Sequence, residues 1–197
     1  MKSKKLLVVL SLTLATTAFV ACGKADDKKQ TEETPKTEEK ETTDVVTTAS
    51  IVNENDDFEK AISKDGTWII ATLGDLTFDK DLVVDGDFKN GKKDKNTGEE
   101  LFQRKIALYT QDEDKKVTAK FTLTAPKLTF NSINGSLQHG TFKGDLYIAG
   151  KNFTLVNQTI DGNVYFLNQE AMDTFKIDDK EGDTPSAITG VQELKAE

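Results

Sequence analysis

The sequence predicts a mainly β chain: a short right-handed parallel β-helix with an N-terminal capping α-helix, over residues 51–197. Three observations lead there. "GTFKGDLYI" (140–148) is answered at an offset of 18 by "QTIDGNVYF" (158–166), so that Phe142, Leu146 and Ile148 match Ile160, Val164 and Phe166. The apolar runs are short and separated by Gly, Asp, Asn and Lys, the punctuation of small strands and turns. "FTLTAPKLTF" (121–130) also aligns with "LYIAGKNFTL" (146–155) at an offset of 25, and a seven-residue insertion between Phe130 and Phe142 reconciles the two offsets. One such repeat cannot bury its own apolar face, whereas stacked repeats share a continuous core. A β-sandwich of hairpins is the alternative. It explains the alternation, but not two reconcilable offsets.

The elements follow in chain order. Residues 1–21 read as a secretory signal: Lys2, Lys4 and Lys5 form a basic start, and Leu6 to Val20 carries no charge. The stretch is short for a transmembrane helix and has no stop-transfer flank. Cys22 follows directly and is the only cysteine, so an exported chain has no intramolecular disulfide to make with it. Residues 23–50 are rich in Lys, Glu, Asp and Thr and hold no aromatic residue. Such a segment buries too little apolar surface to offset the entropy of ordering. It reads as a solvated tether reaching about 30 Å.

Loss of residues 1–21 leaves 23 basic and 34 acidic side chains, a net charge of −11. That argues against nucleic acid and anionic lipid as partners of the domain and leaves basic peptides, cations and neutral glycans. Arg104 is the only arginine, so no arginine cluster clamps phosphates.

In the domain, Asn55 or Asp56 is placed to cap a helix, with Glu59 completing a capping box. Phe58, Ala61 and Ile62 share its apolar face, and Gly66 ends it. Strands are expected within 68–73, 76–78, 82–84, 105–109 and 121–123. The stacking predicts Phe142 over Ile160, Leu146 over Val164, Ile148 over Phe166, and Phe153 near Phe175. On the outside it predicts Lys143 over Asp161 and, at the longer offset, Lys120 over Asp145. Gly144 and Gly162 mark positions of positive φ or close backbone approach. "SAITGV" (186–191) echoes Ile160 and Gly162, and residues 178–185 read as a polar loop.

No catalytic set stands out. His139 is the only histidine and reads as a loop residue. Asp75, Asp79, Asp81, Asp85 and Asp87 fall where turns favour aspartate and read as turn acids rather than Ca²⁺ ligands. No His/Cys metal spacing exists, and no metal or cofactor is expected. Strand alternation puts Tyr147 and Tyr165 on the outside of adjacent coils. They are the candidate binding residues, for sugar rings or peptide side chains, and otherwise form a stabilising ladder.

Two resemblances add to this. "FVAC" (19–22) resembles the bacterial lipobox through Val20, Ala21 and Cys22, with Phe19 where Leu is usual. It implies diacylation of Cys22 and a stable lipid anchor. "TFKGDLYI" and "TIDGNVYF" resemble the coils of bactofilin-like, polymer-forming proteins. They also resemble small Gram-positive lipoproteins with a pectate-lyase-like β-helix, over roughly residues 70–191. The expectation is an extracytoplasmic, membrane-anchored surface lipoprotein that binds or scaffolds without catalysis. Its partners would be the membrane, through the lipid, and a cell-wall or host glycan or protein. The alternatives are a polysaccharide-acting enzyme or accessory factor and a self-assembling scaffold.

Overall fold

The computed structural model describes residues 50–195. The expected signal, Cys22 and all but the last residue of the tether lie outside the described residues. The order begins with β1 (Ser50–Val52), α1 (Asn55–Ile62), β2 (Ile69–Thr72), β3 (Leu76–Thr77) and β4 (Leu82–Val84). A hairpin of β5 (Lys89–Lys93) and β6 (Glu100–Phe102) leads to β7 (Arg104–Ala107). A second hairpin, β8 (Tyr109–Gln111) and β9 (Val117–Lys120), leads to β10 (Thr122–Phe130). Then come β11 (Gly135–Gln138), β12 (Thr141–Ile148), β13 (Thr154–Val156), β14 (Thr159–Asp161) and β15 (Val164–Phe166). α2 (Gln169–Thr174), β16 (Lys176–Ile177), β17 (Ala187–Ile188) and β18 (Gln192–Leu194) complete the order.

The described chain is mainly β, and apart from the two hairpins its strands pair in parallel. One sheet runs β1-β2-β7-β11-β13-β16. The other runs β17-β14-β12-β10-β3, with β4 on β10, β15 on β12 and β18 on β15. From β2 onward the chain visits the first sheet, then two ladders of the second, and returns. Parallel neighbours require such crossovers.

Alternation then sorts the side chains. In the first sheet Ile70, Ile106, Leu137 and Leu155 are successive register partners, each with no exposed surface. In the second, Leu123, Phe142 and Ile160 form one buried column, and Leu128, Leu146 and Val164 another. Val84, Phe130, Ile148 and Phe166 form a third. The inward columns make one apolar core. Phe153 bridges Phe130 and Phe175, its ring centroid 4.9 Å from the first and 6.4 Å from the second.

The 18-residue repeat is met residue for residue: Phe142 pairs with Ile160, Leu146 with Val164, Ile148 with Phe166, and Lys143 with Asp161. Ile188 pairs with Ile160, and the Gly190 N–H donates to the Gly162 carbonyl. The 25-residue alignment is corrected. Leu123 pairs with Phe142 and Leu128 with Leu146, not with Ile148 and Phe153. No seven-residue insertion separates these rungs. The register shifts by one residue between Thr124 and Lys127. Ala125 and Pro126 lie there, and a bulge accommodates the missing proline N–H. Lys120 accordingly does not lie over Asp145. The register neighbour of Asp145 is Lys127, and Lys120 is ion-paired with Asp183.

The helix is where it was expected, but its ends differ. Glu54 is the N-cap and makes no side-chain cap bond. The Asn55 side chain instead donates to the Thr77 carbonyl at 2.8 Å, and Glu59 pairs with Lys80 at 2.9 Å. Ser63 ends the helix, its hydroxyl donating to the Lys60 carbonyl at 2.8 Å. Phe58, Ala61 and Ile62 are buried as predicted.

Candidate functional site

Tyr147 and Tyr165 are register partners, with ring centroids 4.8 Å apart and planes tilted by 44°. The structure also lays cations on them. Lys195 Nζ lies 5.2 Å and 4.4 Å from the Tyr147 and Tyr165 ring centroids, and donates to the Tyr147 hydroxyl at 3.0 Å. Lys127 Nζ lies 5.4 Å from the Tyr147 centroid. The hydrogen bond to Tyr147 raises the Lys195 pKa, against desolvation. A ligand ring stacking here has to displace the Lys195 ammonium, so the pair is built as a cation-covered ladder.

A second constellation forms at the corner where the chain leaves the first sheet for the second. Two of these corners are tight. His139 (φ 60°) and Asn157 (φ 49°) take left-handed backbone there, a conformation that Asn and His tolerate better than most residues. The corners on either side are long: the β8–β9 hairpin and the loop 178–186. The loop folds back over the tight corners. Asp183 accepts from Lys120 and meets His139 Nδ1 at 2.7 Å. Asp179 accepts from the Asn157 N–H at 2.7 Å, and the Asn157 side-chain amide donates to the Thr184 carbonyl at 2.9 Å. Tyr109 meets His139 edge-on, centroids 4.4 Å apart.

Between hairpin and loop is a cleft of about 430 Å³, lined among others by Tyr109, Lys116, Lys120, His139 and Asp183. Asp183 orients the His139 ring through its Nδ1 contact, beside the lysines of the same lining. The lining residues include no Ser, Thr or Cys nucleophile. His139 was expected to be a plain loop residue. Its orienting acid lies 44 positions away, so no local pattern announces the pair.

Asp183 is held down to about 2, first by the hydrogen bond from Lys120, against desolvation, with Thr184 and His139 adding to it. A depressed carboxylate stabilises the fold above its unfolded value of 3.8 and loses that contribution as pH falls toward 2. Loop 178–186 is therefore expected to lose hydrogen-exchange protection between those pH values, ahead of β13 and β14. Equal protection of loop and strands across that range would contradict the assignment.

The five expected turn acids are mostly structural ties. Asp75 accepts from the Thr122 N–H at 2.7 Å, and Asp87 from the Ile133 N–H at 2.9 Å. Asp85 accepts from Gly86, and Asp81 pairs with Lys127 at 3.0 Å. Among the described residues no group of three or more His, Cys, Asp or Glu is placed to hold a metal ion. Arg104 is fully buried and donates to the carbonyls of Thr67, Ala61 and Ser63. Burial pushes its pKa down to about 10, with the Asp85 carboxylate acting against that. Compared with known proteins, the chain matches no family model, no curated protein and no solved structure.

Proposed function

We propose that the described domain is a short right-handed parallel β-helix, carried on the cell envelope as a surface lipoprotein and acting by binding or scaffolding. The rotation of the chain among three ladders supports the coil reading, and parallel crossovers are right-handed in nearly all proteins. In this reading α1 caps the first coil, its buried Phe58 and Ile62 covering the end of the core. The resemblance to bactofilin-like and pectate-lyase-like coils is kept at the level of fold, because fold does not carry activity.

The observation that carries the functional reading is positional. A single cysteine, Cys22, directly follows an uncharged apolar stretch and precedes a charged spacer and a folded domain. Acyl chains on Cys22 would hold the protein to the membrane. Among the described residues no helix is long and apolar enough to cross it. The domain's ordered ionisable groups favour a scaffold: Asp75, Asp87, Asp179 and Arg104 each hold backbone groups of neighbouring segments. The cleft beside His139 offers a preformed concavity to a partner outside the membrane.

Fractionation of cells expressing the full chain tests the anchor. The native protein is expected in the membrane fraction, and Cys22→Ser is expected in the medium. Retention of Cys22→Ser with the membrane would overturn the lipoprotein reading.

A further inference from the structure

The outer face of the first sheet carries a second concavity, of about 520 Å³, away from the tyrosine ladder. Its floor is β11 and β13. Their inward residues, Leu137 and Leu155, are buried in the core, which turns Gln138 and Thr154 outward, half-buried, with Ser136 and Val156 lying deeper on the same face at 3% and 6% exposure. One wall is the β5–β6 hairpin, which presents Leu101 and Phe102, 38% and 37% exposed.

The polar lining is unusual for this chain. The sequence is 30% charged, yet the floor and hairpin wall contribute amides and hydroxyls, with charge only at Lys176 and Asp178. The amides also orient one another. Asn90 donates to the Gln103 side-chain oxygen at 3.0 Å, and Asn152 to the Asn134 side-chain oxygen at 3.0 Å. Asn134 in turn donates to the Phe102 carbonyl at 3.0 Å, and Gln138 to the Ser136 hydroxyl at 3.2 Å. Each of these bonds uses part of a side chain that can donate and accept more than once. The remaining capacity is held in place before any ligand arrives, which lowers the cost of binding.

The backbone decides what kind of chain fits. β11 lies between β7 and β13, and β13 between β11 and β16, so both edges of each floor strand are already paired. An extended peptide cannot add itself as a strand there. A ligand in this groove is held by side chains alone. It must offer many groups that both donate and accept, little charge, and an apolar face for Leu101 and Phe102. Hydroxyl-rich sugar rings do all three.

We propose that this groove binds an uncharged glycan chain. The proposal rests on reading the domain as a binding module, and does not depend on the anchor at Cys22. The full chain would be titrated with cellohexaose and chitohexaose, following backbone and side-chain amide NMR signals, with hexagalacturonate and an uncharged extended hexapeptide as competitors. Saturable shifts with a neutral hexasaccharide are expected at Ser136, Gln138 and Thr154, little changed by added salt. Gln138→Ala and Phe102→Ala should each weaken binding about 3- to 10-fold, the loss of one modest contact. Gln138 is on a strand surface, so its variant is expected to keep the wild-type melting temperature if the hairpin variant does not. Binding of neither neutral hexasaccharide, preference for hexagalacturonate or the peptide, or shifts confined to the His139 cleft would each overturn the proposal. Failure of Cys22→Ser to leave the membrane would overturn the anchor and leave this result standing.

Discussion

Replacing Arg104 by Met is expected to destabilise the domain by about 3 kcal/mol or more, because it removes three charge-assisted hydrogen bonds at once. The guanidinium is fully buried at the start of β7. It reaches back across 43 and 41 positions to the Ala61 and Ser63 carbonyls at the end of α1, and to Thr67 before β2. Phe88 lies against it, the guanidinium carbon 4.3 Å from the ring centroid. Methionine fills much of the volume and leaves those carbonyls without their donor. The shift in melting temperature should be about 6–12 °C for a domain of this size. Arg104→Lys should recover little, since one ammonium on a shorter stem cannot serve three acceptors in a fork. Urea unfolding of both variants checks this. A loss below about 1 kcal/mol for Arg104→Met would mean that the helix end is held by its apolar face alone.

Gly144→Ala is expected to be similarly severe, at about 3 kcal/mol, from overpacking and backbone strain together. Gly144 has φ 136°, and a Cβ there would overlap the Ala125 carbonyl oxygen and come within 3.1 Å of the Pro126 oxygen. The obstacles are backbone atoms of the neighbouring rung, which cannot swing away as a side chain could. Relief requires spreading the β10–β12 pair at its bulge. Gly74→Ala is the control: its added Cβ would meet nothing within 4 Å, and its stability should stay within about 0.5 kcal/mol of wild type. Equal urea midpoints for the two variants would show that the rungs at Gly144 can part without cost.

Part of the second sheet was legible because the step from β12 to β14 and β15 is a constant 18 residues, whereas the steps from β3 to β10 and from β14 to β17 are longer. Where Phe142 meets Ile160 and Leu146 meets Val164, register is translation by 18 residues, which a text comparison can see. The 25-residue match failed because alternating apolar residues match at many offsets, and only the bulge at Ala125–Pro126 sets the true one. The candidate residues divide in the same way. Tyr147 and Tyr165 were found together because they sit at equivalent places of one repeat. Lys195, which covers them, was missed because it is 48 positions from Tyr147. The amide groove is built from three rungs and a hairpin, and no run of neighbouring residues spells it.

Alternation and repetition are local properties of a chain, and they made readable the β class, the α1 helix, the pairing of Phe142 with Ile160 and Leu146 with Val164, and the outward place of the tyrosines. The register of β10 on β12, the burial of Arg104 as a tie, the hold of Asp183 on His139 and the amide-lined face emerge only once the chain is folded. Most of these rest on contacts between residues 13 to 63 positions apart that recur at no fixed spacing, so the energy depends on spatial approach.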